Sequence, residues 1–187
     1  MNRLISAYQT ATDILTRADA LLGLAARAVF AAVLMVYYWA SGLTKLGDGL
    51  FGLFQPSTGA YAQIFPRAME ASGYDTGQLN ILHTLVVLAG TWAEFILPLL
   101  IVTGLATRLA ALGMIGFVTI QSATDMIGHG LLAEPGAVGA WFDRAPDSLI
   151  MDQRTLWVFL LLVLVIRGAG PLSLDRLIQR RLDMRQA

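Results

Sequence analysis

Four apolar runs close to membrane-spanning length leave this chain few ways to fold. A hydrocarbon core about 30 Å thick is crossed by roughly 20 helical residues. "LLGLAARAVFAAVLMVYYWA" (about 21–40) and "LNILHTLVVLAGTWAEFILPLLIV" (about 79–102) meet that length, and "ATRLAALGMIGFVTIQSAT" (about 106–124) falls just under it. The last run, "TLWVFLLLVLVI", is strictly apolar only over 155–166, the length of a buried core helix; extended back through "SLIM" it spans about 149–167 and takes in Asp152 and Arg154. With 187 residues, 56% hydrophobic and only 14% charged, the expected fold is a single-domain, all-α integral membrane protein covering 1–187: a four-transmembrane-helix bundle with amphipathic terminal helices.

Basic residues near the span ends set the expected orientation. Arg3, Arg17, Arg108, Arg167, Arg176, Arg180, Arg181 and Arg185 all fall at one end if both termini lie on the same side. The two long loops, about 41–78 and 125–148, together with the flanking Asp152 and Arg154, hold Lys45, Arg67, Arg144 and Arg154 against eight acids. Both termini are therefore expected in the cytoplasm and both long loops in the periplasm. No removable signal peptide is read in the first twenty residues, so the first span is expected to direct insertion. Leu4, Ile5, Tyr8, Ala11, Thr12 and Leu15 recur at helical spacing, as do Leu174, Leu177, Ile178 and Leu182 after a capping Ser173; both tails read as membrane-surface helices, with plain solubilising tails as the alternative. The long loops contain turn residues but also "FGLF", "AYAQIF" and "AVGAWF", which imply a partly ordered cap.

Thirteen basic and thirteen acidic residues cancel, which gives no field for nucleic acid. The absence of cysteine excludes disulfides, thiolate metal sites and a CxxC relay carried by this chain alone. No Ser-His-Asp order, glycine-rich phosphate loop or HExxH is present, which argues against hydrolase and nucleotide-binding roles.

Charges inside the spans are the chemical signal, because one at a helix centre costs about 2.5–3.5 kcal/mol even on a mild insertion scale. Arg27 and Glu94 fall at similar depth on neighbouring antiparallel spans, which predicts that they pair. The pair is either a proton-active centre or a registration clip between helices. Pro98, four residues after Glu94, could open the helix beside it. Eleven residues return a helix to within about 20° of its starting direction. His83 therefore shares the face of Glu94, and Arg27, Tyr38 and Lys45 share a stripe of the first span. Gln121, Asp125 and His129 extend the polar face at the end of the third span.

Three readings fit this outer set. Tyr38, His83, Gln121 and Lys45 can bind a quinone headgroup, with Met35, Met114 and Met126 along an apolar tail channel. His129 and Asp125, with His83, can hold a metal or haem, although no ligand-pair spacing accompanies them. Alternatively these residues only stitch the bundle at its wet end. The small residues Ala25, Ala26, Gly90, Ala110, Ala111 and Gly113 read as close helix packing.

Taken together, "RAVFAAVLMVYYWASGLTKL", "WAEFILPLLIVTGLATRLAAL" and "GAGPLSLDRLI" resemble, in order and spacing, the DoxX family of bacterial four-helix inner-membrane proteins, over about residues 24–178. The resemblance implies a four-span bundle with Arg27, Gly42, Lys45, Glu94, Gly104, Arg108, Gly170 and Asp175 at characteristic positions. It also implies a setting in redox chemistry: the family takes its name from a subunit of thiosulfate:quinone oxidoreductase. Other members are linked to membrane complexes with sulfurtransferase and superoxide dismutase, and some occur beside metal-handling proteins. Lack of cysteine argues against a direct sulfur relay here, and "ATDMIGHG" corresponds to no family motif. The expected role is an accessory subunit of a quinone-linked oxidoreductase, partnered by the lipid bilayer and by a membrane or periplasmic protein of a redox complex, with self-association open. The alternative is a non-enzymatic scaffold or a small-solute or metal-ion permease.

Overall fold

The computed structural model describes residues 2–49 and 51–186. Four helices are long and apolar enough to cross a membrane: Leu22–Lys45, Ile81–Thr103, Thr107–Gly128 and Leu149–Arg167, the first to fourth spans below. The second and fourth begin and end within two residues of expectation. The first runs five residues further and the third four further, so that Lys45 and Asp125 belong to spans, not loops. No sheet forms among the described residues; one isolated antiparallel bridge, Leu46 to Pro56, closes the first loop.

Neighbouring spans run antiparallel around a ring. The first packs on the second and fourth, and the third on the same two. The centre is filled by Phe30, Leu34, Tyr38, Ile101, Ala111, Met114, Leu161 and Leu164. Ala26, Ala110 and Ala111 are buried there, as small residues that let helices approach closely should be. Met114 is buried in this core too, so it cannot line a membrane-facing channel. Only 22–33% of each span's most apolar window is buried in the protein, and Val33, Leu85, Leu99, Leu112, Leu156 and Ile166 face outward. An apolar surface of that extent requires a hydrocarbon surround. The molecule is a multi-pass membrane protein.

The two ends of the bundle differ. At the termini end, a tight turn joins the second and third spans. Gly104 adopts φ +72° and ends the second span, and Asp175 caps the third from far along the chain by accepting the Ala106 and Thr107 N–H groups at 2.7 and 3.0 Å. Gly23 lies so close to the turn after the fourth span that an added Cβ would sit 2.3 Å from the Gly168 carbonyl oxygen. At the loop end, short helices Thr58–Ile64 and Pro66–Ala71 form the expected cap, packing Ala60, Tyr61 and Met69 against Val87 of the second span. Asn2–Arg17 and Leu174–Gln186 are helical. Leu4, Ile5, Tyr8, Leu177, Ile178 and Leu182 are exposed on them, the stripe an amphipathic surface helix presents to lipid. The side chains of Ala11 and Leu15 lie outside the described residues.

Candidate functional site

The second and third spans touch near the termini end and part toward the loops. A Cβ on Gly113 would meet Leu97 at 3.1 Å, whereas one on Gly116, nearly a turn further along, would meet nothing within 4 Å. The space so opened is a cavity of about 630 Å³ walled by all four spans and the cap. Its apolar wall is built from Ala89, Gly90, Gly113, Gly116 and Ile120. Val86 and Ile120 are exposed on its rim, so the cavity opens sideways between the second and third spans at hydrocarbon depth.

Its other wall is polar. Glu94 and Lys45 are both nearly inaccessible, and Lys45 Nζ lies 3.0 Å from each Glu94 carboxylate oxygen. Ser41, one turn before Lys45, donates to Glu94 Oε1 at 3.1 Å and accepts from Lys45 Nζ at 2.7 Å. Gly42 makes this approach feasible: the Phe95 ring lies where a Cβ would be, 2.7 Å from the ideal position. Pro98 has no N–H for the Glu94 carbonyl, and the neighbouring Phe95 carbonyl accepts from the Trp39 indole at 3.2 Å, a second tie between these spans.

Across the cavity a second ion pair joins the third and fourth spans. Arg154 donates to Asp125 through Nη2 and to the Ser122 hydroxyl at 3.1 Å. Asp125 sits in a π-helical turn, Thr124–Gly128, and Arg154 in another, Leu149–Arg154. Such turns widen the helix, change where side chains aim and recur at functional sites. The Arg154 Nε–H is buried without an acceptor among the described residues.

The expected Arg27–Glu94 pair does not form. Arg27 instead donates to four backbone carbonyls at the termini end: Ile101 at 2.9 Å, Val102 at 2.5 Å, Ala169 at 2.9 Å and Leu172 at 2.6 Å. The reason is the lean of helical side chains toward their own N-terminus. Residues at equal depth on antiparallel helices therefore reach toward opposite membrane faces, Arg27 toward the termini and Glu94 toward the loops. Lys45, leaning back from the loop end, is the cation that meets Glu94.

Of the other sequence candidates, Lys45, Gln121, Asp125 and His129 line the cavity with Glu94. Tyr38 is buried behind it and donates to Gln121 Oε1 at 3.4 Å, while Gln121 Nε2 donates to the Tyr37 hydroxyl at 3.1 Å. His83 is outside it, bonded to Asn80 Oδ1 at 2.8 Å and edge-on to Phe65. His129 Nε2 lies 3.0 Å from the Gln63 carbonyl oxygen. No group of three or more His, Cys, Asp or Glu suited to a metal occurs among the described residues. Sequence reasoning missed Tyr37, Ser41, Gly116 and Arg154. A signal existed for Arg154: extending the fourth span to crossing length draws a cation inside, and Asp125 is the acid at matching depth.

These features define a class: a four-span helical membrane protein whose loop end encloses a laterally open cavity with one buried and one part-buried ion pair. The chain belongs to the DoxX family, whose model matches residues 22–124, a stretch that holds Arg27, Lys45, Glu94 and Gln121 but stops short of Asp125 and Arg154. No curated protein and no solved structure matches the chain.

Proposed function

We propose that this protein is a small inner-membrane subunit of a redox complex, with both termini cytoplasmic, whose loop-end cavity binds a quinone headgroup and exchanges protons with it through Glu94. The supporting observation is a sideways-opening cavity of about 630 Å³ with apolar small residues on one wall and the Lys45–Glu94 pair on the other. A membrane-dissolved ligand enters from lipid, so a lateral mouth suits it better than an aqueous funnel.

The donor set fits the group. Gln121 amide, Tyr37 hydroxyl and Arg154 guanidinium supply donors for two carbonyl oxygens, and the two ion pairs leave the wall without net charge, as a neutral headgroup needs. A quinone held there would supply an acceptor for two electrons and two protons, the electrons coming from a partner protein. Glu94 receives a proton from the loop side and passes it on from its carboxylate, while Lys45 and Ser41 hold that carboxylate in one orientation. Asp125 and Arg154 orient the opposite edge, with His129 at the mouth beneath the cap. Tyr38 positions Gln121 from behind. Arg27 acts on this site only by fixing the far end of the second span.

Glu94→Gln keeps the shape and removes the exchangeable proton. In native membranes it should lower quinone-linked turnover at least about a hundredfold, the scale of a positioned acid–base group, with the protein assembled at normal abundance. Undiminished turnover would sink the reading.

A second reading, a clip between the first and second spans within a non-enzymatic scaffold, is favoured by the two equal 3.0 Å contacts from Lys45 to Glu94. It predicts that a hydrophobic pair replacing Lys45 and Glu94 keeps every function of the protein.

A further inference from the structure

We propose that the termini end of the bundle carries a second binding site, for the phosphate of an anionic membrane phospholipid, held by Arg108 and Arg176 in a cleft between the third and fourth spans and the C-terminal helix. The cleft has a volume of about 540 Å³ and is lined by both arginines, Arg167, Thr107, Asp175 and Leu109. Thr107 opens the third span and Arg167 ends the fourth, so the cleft lies at headgroup depth when the spans cross a bilayer.

Its charge balance points to an anion. Two guanidinium groups, those of Arg108 and Arg176, face one carboxylate, Asp175, whose two oxygens already accept the Ala106 and Thr107 N–H groups. Among the described residues, neither the Arg108 nor the Arg176 guanidinium has a hydrogen-bonded or ion-paired partner. Thr107 Oγ1, also in the lining, is buried with no partner among the described residues. Arg108 does not simply trail into water. Its guanidinium lies over the bare α-carbon of Gly168, where an added Cβ would come 3.3 Å from Arg108 Nε, and the φ of +76° there favours glycine. A planar fork of donors held in place matches the oxygens of a phosphate.

A lipid, more than free phosphate, fits the surroundings. Leu109 is exposed at the edge of the cleft, and Leu112 and Ile166 continue outward-facing along the same two spans, a path for acyl chains. Basic pockets between spans at headgroup level are a recurring mode of anionic lipid recognition. The site lies at the opposite end from the loop-end cavity and does not depend on what binds there.

The test uses the full chain purified in detergent, titrated with phosphatidylglycerol and with phosphatidylcholine of identical chains and followed by native mass spectrometry. Phosphatidylglycerol should bind at least about tenfold more tightly than phosphatidylcholine. The double variant R108Q/R176Q should lose that preference, whereas R180Q/R181Q, which removes two charges from the same helix outside the cleft, should keep it. Equal loss in both double variants would reduce the effect to diffuse surface charge and overturn the site. Inorganic phosphate at millimolar concentration should fail to displace the lipid; displacement, or phosphate binding as tight as that of phosphatidylglycerol, would overturn the lipid assignment. Arg108 and Arg176 are both exposed, so circular dichroism should show the fold of R108Q/R176Q unchanged.

Discussion

Each end of the bundle buries cations, but each satisfies them differently. At the termini end Arg27 is held by four backbone carbonyls from the end of the second span and the turn after the fourth. At the loop end Lys45 and Arg154 are held by the carboxylates of Glu94 and Asp125. The carbonyls that bind Arg27 include orphans of a helix C-terminus, where the macrodipole also favours a cation. Carbonyls carry no exchangeable proton, so the cluster around Arg27 holds structure and relays nothing. Carboxylates can take up and release a proton, and both of them border a cavity. One end is a rivet and the other is equipped for chemistry.

Removing the rivet should have the largest effect. Arg27→Ala leaves four carbonyls without their donor and separates three chain segments, and should cost at least about 3 kcal/mol of stability, read as early unfolding in a detergent denaturation series. Arg27→Lys should rescue little of it, because one ammonium cannot replace a fork that reaches two helix ends at once. The charge swap Arg27→Glu with Glu94→Arg should be worse than either single change. Rescue by the swap would restore the direct pairing that the geometry rejects.

At the loop end, Glu94→Ala leaves the Lys45 ammonium buried and unpaired, a change expected to cost about 3–5 kcal/mol at the upper end, and less if water enters from the cavity. Lys45→Met combined with Glu94→Leu should return stability to within about 1 kcal/mol of the wild type while quinone-linked turnover stays absent. Recovery of stability with loss of turnover separates a site from a clip; recovery of both would favour the scaffold.

How far the sequence revealed these two ends follows from what each depends on. Span number and order were legible because length and hydropathy alone decide them. That Tyr38 and Lys45 share one inward stripe of the first span followed from periodicity. Pairing was not legible, because it depends on side-chain lean and on where spans end. Ending the first span at Ala40 placed Lys45 in a loop and left Arg27 as the nearest cation for Glu94. The knot around Arg27 was hidden for another reason: backbone carbonyls leave no mark in a sequence. Gly90 and Gly113 were read as packing positions and do meet Ile64 and Leu97 closely, but they also line the cavity, which their small size did not reveal.

A smaller loss of stability is expected at Gly42. Gly42→Val drives two methyl groups into the Phe95 ring and should cost about 1–3 kcal/mol by overpacking. It should also pull the first span off the second and lengthen the Lys45–Glu94 contact, so turnover should fall further than stability. A fall in stability alone would mean that the ion pair tolerates a looser geometry than the cavity reading requires.

The smallest structural effect, and the sharpest division between the two ends, is expected at Gly116. An added Cβ there meets nothing within 4 Å, and glycine within a helix already costs up to about 1 kcal/mol relative to alanine. Gly116→Leu should therefore leave stability unchanged or slightly raised. Its side chain would project into the cavity from the apolar wall, opposite the ion pair, and occupy space a ligand's tail needs. Quinone binding to the purified protein, measured by displacement of a fluorescent analogue, should weaken at least about tenfold, one lost apolar contact plus a steric clash. Because Gly116 touches neither Glu94 nor Arg27, such a loss cannot be traced to a broken pair or to a loosened rivet. Only occupancy of the cavity remains as its cause.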